Sequence, residues 1–133
     1  MVGFYNLEVM NYMMDFKTLV GEVVAVAKPK LVAIFGSQAR GDAGRFSDID
    51  VLVVTDSDVV AEKLNTMRKS NVEFHALSMK RALELVHRSD PFFKKILSEA
   101  IPLYGHFYLS FLREVAENVG KGKNMARNGY RKN

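Results

Sequence analysis

The chain has 133 residues, 48% of them hydrophobic and 26% charged, which suits one domain with a real core and is too short for two ordinary ones. Cysteine is absent, which excludes a disulfide framework and a thiolate metal site and makes an intracellular setting the default expectation. The net charge of +4 sits at one end: Lys121, Lys123, Arg127, Arg131 and Lys132 lie within residues 120–133, and without those five the remainder carries −1. A solvated tail is therefore the plainer reading than a nucleic-acid-binding arm, and nucleic acid is not the expected partner. No apolar run is long enough to span a bilayer. The opening segment has no basic n-region and contains Glu8 and Asp15, so it does not read as a signal peptide, and the cytoplasm is the expected location.

Residues 1–14 show no clear period and are treated as an N-terminal extension. Asp15 is placed as the N-cap of a first helix that carries Phe16, Leu19, Val20, Val23 and Val24 on one stripe and stops before Pro29. Leu31–Phe35 is short, apolar and bounded by proline and glycine, the pattern of a buried strand. Ser37 is expected to cap a helical turn through Arg40, and Gly41-Asp42-Ala43-Gly44 has loop chemistry. The run from Asp48 to Val54 reads as a second strand, followed by a helix to about Lys69. Residues 71–78 read as a third strand with Glu73, His75 and Leu77 on one face. Ser78 caps a further helix, Asp90-Pro91 opens another, residues 101–105 form a short strand, and a last amphipathic helix ends near 119. The expected class is α/β (α+β), a small mixed sheet flanked by helices, with a domain over 15–105, a C-terminal helix over 106–119 and a disordered basic tail over 120–133.

The chemistry concentrates in GSQARGDAGRFSDID, Gly36 to Asp50. Strand alternation points Asp48 and Asp50 the same way, with Cα atoms roughly 7 Å apart. At a carboxylate separation of about 4 Å two like charges repel by about 4 kcal/mol at an effective dielectric of 20. One of them must take up a proton, or a cation must bridge them. Oxygen ligands at a strand end suit Mg²⁺ or Mn²⁺ better than zinc. Glu73, at the start of the next strand, can bring a third carboxylate to that face. Gly36 allows a close backbone approach, and the N–H groups at Ser37 attract phosphate oxygens. Taken singly, Gly-Ser is a common turn pair, Asp-x-Asp can be a turn and a solvated edge, and His75 is more often a surface or packing histidine. The conjunction is what carries the argument, because a phosphate cradle beside paired carboxylates is the equipment for metal-assisted displacement at phosphorus.

That segment resembles the signature of the nucleotidyltransferase superfamily related to DNA polymerase β, and most closely its minimal nucleotidyltransferase (MNT) group. Gly36, Ser37, Ala39, Arg40, Gly41, Ser47, Asp48, Ile49 and Asp50 fit the group's GS-x-ARG, loop and SDID pattern, and ILSEAIPLYG resembles the end of that domain. The resemblance covers about Phe16 to Gly105. It implies that Asp48 and Asp50 bind two Mg²⁺ ions, with Mn²⁺ as a substitute, and that Gly36 and Ser37 hold the β- and γ-phosphates of ATP or another NTP. Arg40 would steady the triphosphate charge. Glu73 would be the third acid, where the family pattern has aspartate.

The resemblance further implies transfer of a nucleoside monophosphate, AMP from ATP, to a hydroxyl. Proteins of this group pair with a small helical HEPN-type toxin and act as antitoxins, in characterised cases by adenylylating one of its tyrosines. The alternative is a binding module with a weak or silent site that neutralises its partner by contact. Glutamate at the third position leaves room for that reading. The apolar residues of the last helix, Phe107, Tyr108 and Phe111, leave room for a homo-oligomer or partner interface.

Overall fold

Apolar runs and helix signals alternate along this chain, and a computed structural model places them as strands and helices in the same order. It describes residues 7–41 and 48–132, with side chains over 16–41 and 48–122. The elements are α1 (Leu7–Ala27), β1 (Leu31–Phe35), α2 (Ser37–Arg40), β2 (Ile49–Thr55), α3 (Asp58–Thr66), β3 (Val72–Ser78), α4 (Met79–His87), α5 (Pro91–Glu99), β4 (Ile101–Tyr104) and α6 (His106–Lys132).

The four strands form one mixed sheet in the order β3-β2-β1-β4. β1 runs antiparallel to β2 and β4, and β2 runs parallel to β3. Both faces of the sheet are covered. Leu31, Ala33, Phe35, Leu52 and Val54 pack against α4, α5 and α6, while Val32, Val51, Val53, Phe74 and Ala76 pack against α1 and α3. Burial on both sides explains why β1 and the inner part of β2 are apolar at consecutive positions instead of alternating.

Local signals set most boundaries. Ser57, Ser78 and Asp90 cap α3, α4 and α5 by accepting from the backbone N–H three residues on. Asn65 of α3 reaches the outer edge of β3, donating to the carbonyl of Ala76 at 2.8 Å and accepting from its N–H at 2.7 Å. Arg113 of α6 donates to the carbonyls of Leu97 and Ala100 at 2.8 and 2.7 Å, satisfying groups that the end of α5 would leave open. Gly105 turns the chain from β4 into α6 with φ 75°, and a side chain there would run into the backbone of Lys30.

Four expectations need correction. α1 begins at Leu7, so Asp15 lies inside the helix and is not its cap; Leu, Glu and Met before it are good helix formers with no glycine or proline to stop them. Residues 1–6 of the expected extension lie outside the described residues. α3 stops at Thr66, because Met67 is extended and Lys69 bridges to Val72. Ser37 is the first residue of α2, and Gly36 holds the cap position without a side-chain bond. Finally, α6 runs to Lys132, through the segment expected to be disordered. An i,i+4 pair of Glu117 with Lys121 at 3.1 Å favours helix where the basic segment starts.

Candidate functional site

The site grows from the ends of β1 and β2. Their register pairs Phe35 with Asp50, which places Gly36 beside the Asp50 side chain. Gly36 has φ 72° and ψ −152°, a region open essentially to glycine alone. A Cβ at this position would stand 2.5 Å from Asp50 Oδ2. Glycine is thus required twice here, by the backbone turn into α2 and by the carboxylate that closes on it.

The parallel register of β2 with β3 pairs Asp50 with Glu73 and Leu52 with His75. All four project to the face that packs against α4, α5 and α6, so Asp50 and Glu73 form the first layer beyond that core. His75 sits one layer inward and leans back toward them. Its Nε2 lies 3.2 Å from Asp50 Oδ1 and 3.9 Å from Glu73 Oε1. One donor atom from each of Asp50, Glu73 and His75 can be chosen so that all lie within 4.8 Å of one another. The His75 and Phe35 rings pack edge to face, with centroids 4.9 Å apart at 69°.

Asp48 precedes β2 and is exposed, and it is not a member of this three-residue group. Alternation gives it the same face as Asp50. The loop of residues 42–47 that leads to it, including Asp42, Ser47 and the glycine at 44, lies outside the described residues.

The expected phosphate cradle lines an open cleft of about 370 Å³. Gly36, Ser37, Arg40, Asp50 and His75 border it, facing Phe92, Lys95 and Glu99 of α5. Glu99 is the residue that sequence reasoning missed. Its side chain is only 15% exposed and accepts from the N–H of Gly36 at 3.2 Å. Both of its oxygens lie near the Arg40 guanidinium, at 3.1 and 3.0 Å, and Lys95 stands 4.0 Å away. Two of the donors expected to meet a phosphate, the Gly36 N–H and Arg40, therefore already hold a carboxylate, which shows that the position attracts anionic oxygen. Ser37 borders the cleft beside them. His75 was legible as a neighbour of Glu73 on one strand face, whereas the contact of Glu99 with Gly36 spans 63 residues of sequence and depends on how α5 docks.

These residues fit a divalent cation chemically. Two carboxylates and an imidazole converge at the rim of a packed core: the His75 distances of 3.2 and 3.9 Å match donors around one ion, about 3 Å for adjacent and about 4 Å for opposite positions when bonds are ~2.1 Å, and the 62% exposed Glu73 side chain has room to close the remaining span, which lies within 4.8 Å. A polyanion could lie across the adjacent basic and N–H donors. The chemistry available is charge neutralisation and orientation of a phosphorylated ligand.

Comparison with known proteins agrees with this geometry. The nucleotidyltransferase domain model matches residues 16–104. Among solved structures, the chain is similar to one from a toxin–antitoxin determined with AMP-PNP, at TM-score 0.55 and 18% identity, covering 86% of this chain and 94% of that one. It is also similar to one from a mutant MntA-HpeT toxin–antitoxin, at TM-score 0.54 and 14% identity, covering 86% and 93%. These likenesses establish the shared fold. No match is found among curated protein sequences. With the family model spanning the sheet and every described residue of the site, the chain belongs to the nucleotidyltransferase domain family.

Proposed function

We propose that this protein is an MNT-type antitoxin that transfers AMP from ATP to a hydroxyl on a small helical HEPN-type partner, using Mg²⁺. The observation that carries the reading is Asp50, which is packed against Gly36 on one side and the Glu73–His75 pair on the other, next to an anion-accepting cleft. The family assignment supports the reaction type. The likeness to toxin–antitoxin structures, one of them determined with AMP-PNP, supports the nucleotide and the partner.

In this reading Asp48, Asp50 and Glu73 hold two Mg²⁺ ions, with Mn²⁺ as a substitute. When bound, the ions neutralise triphosphate charge and lower the pKa of the attacking hydroxyl. Arg40 and the N–H groups of Gly36 and Ser37 take the β- and γ-phosphate oxygens, which requires Glu99 to yield its hold on Gly36. The acceptor oxygen bonds to the α-phosphorus, the bond to the β-phosphate oxygen breaks, and pyrophosphate leaves. Glu73, the most exposed acid of the described cluster at 62%, takes the hydroxyl proton.

One observation favours the contact-only alternative: Glu99 already occupies two of the donors that a phosphate needs, the Gly36 N–H and Arg40. Intact-mass analysis of the partner after incubation with ATP and Mg²⁺ separates the two. The proposal expects an AMP adduct on the partner. An unmodified partner that stays tightly bound would establish neutralisation by contact.

A further inference from the structure

The imidazole in the cluster changes which ion the site should prefer. We propose that His75 is a direct ligand, and that the Asp50–Glu73–His75 group selects a first-row transition ion, Mn²⁺ or Co²⁺, over Mg²⁺. The inference rests on the reading of Asp50 and Glu73 as metal ligands given above, and deepens it.

Three features of the structure carry it. His75 Nε2 and Asp50 Oδ1 are 3.2 Å apart, close to the spacing of about 3 Å expected for adjacent donors on one small divalent ion. Glu73 Oε1, 3.9 Å from the same nitrogen, completes a triangle of donors. The imidazole is also held in place. The Phe35 ring packs against it at 69°, and the β2–β3 register sets His75 beside Leu52, on the core side of the two carboxylates. His75 and Asp50 are both mostly covered, with side chains 30% and 26% exposed.

Mg²⁺ prefers oxygen donors and gives up its water reluctantly, so an imidazole adds little to its binding. Transition ions gain from nitrogen, and their affinity for mixed N/O sites rises from Mn²⁺ to Co²⁺. A site of oxygen donors alone would discriminate less, so the change in the ratio on removing the imidazole is the diagnostic quantity. Glu73 and His75 lie two apart on one strand, so the strand that supplies the third acid supplies the nitrogen as well.

The test measures metal binding to the full chain without nucleotide. Free Mn²⁺ is followed by electron paramagnetic resonance, and Mg²⁺ affinity is obtained by competition against it. Wild type should bind Mn²⁺ at least tenfold more tightly than Mg²⁺, with a spin-echo modulation from a bound imidazole nitrogen. His75→Gln should lose on the order of tenfold in Mn²⁺ affinity and all of that modulation, while Mg²⁺ affinity changes less than about threefold. Equal losses for both ions, or an unchanged ratio, would overturn the inference and show that His75 only orients Asp50. Asp50→Asn and Glu73→Gln test the underlying reading separately: undiminished binding of both ions in both variants would remove these carboxylates as ligands. Circular dichroism of each variant checks that the fold is retained.

Discussion

Gly36 concentrates the constraints of the site in a single residue. Its backbone lies where a side chain is strained, and the Asp50 carboxylate occupies the space that a Cβ would need. Gly36→Ala should therefore destabilise the fold by about 1–3 kcal/mol, measured by denaturant unfolding, and should weaken metal binding by displacing Asp50. Glu99 acts in the opposite sense. It holds the Gly36 N–H and Arg40, and in the proposed nucleotide complex its charge would compete with phosphate for both. Glu99→Gln is expected to tighten ATP binding about tenfold by calorimetry, the scale of one charge-assisted hydrogen bond. Weaker binding would show instead that Glu99 serves to position Arg40. That Gly36, Asp50 and Glu73 come together could be read from the sequence because turn chemistry and strand alternation are local. Glu99 could not, since nothing near it in the chain shows that α5 ends over the β1–α2 turn.

The same distinction runs through the elements. β1 and β3 matched their apolar patterns, and α4 and α5 matched their caps, because Ser78 and Asp90 set those helix starts by bonds three residues long. The start of α1 was misplaced because Asp15 has the chemistry of a cap but lies within a run of helix formers. The second packed face of β2 depends on helix docking: Leu52 and Val54, on the stripe of Asp50, pack under α4 to α6. The edge strand β3, which carries Glu73 and His75, depends on Asn65 for both open backbone groups of Ala76. Asn65→Ala should cost about 1–3 kcal/mol in unfolding. Faster amide hydrogen exchange along β3, with β1 unchanged, would locate the loss at that edge.

Across the whole molecule, the sheet divides the labour. One face rests on α1 and α3, and the other, under α4 to α6, ends at the rim where Asp50, Glu73 and His75 meet the cleft. α5 closes that cleft, and Arg113 of α6 holds the end of α5 through two carbonyls. The exposed rings of Phe107 and Phe111 lie roughly parallel on α6, with centroids 6.5 Å apart. The central claim is that this rim moves a nucleotidyl group. Its most direct test compares α-labelled with γ-labelled ATP, incubated with the protein, divalent metal and the proposed helical partner. Label from the α-phosphate should appear on the acceptor and none from the γ-phosphate, and Asp50→Asn should reduce transfer on the order of 100-fold or more. Transfer of the γ-label, or α-label transfer undiminished in Asp50→Asn, would contradict the account.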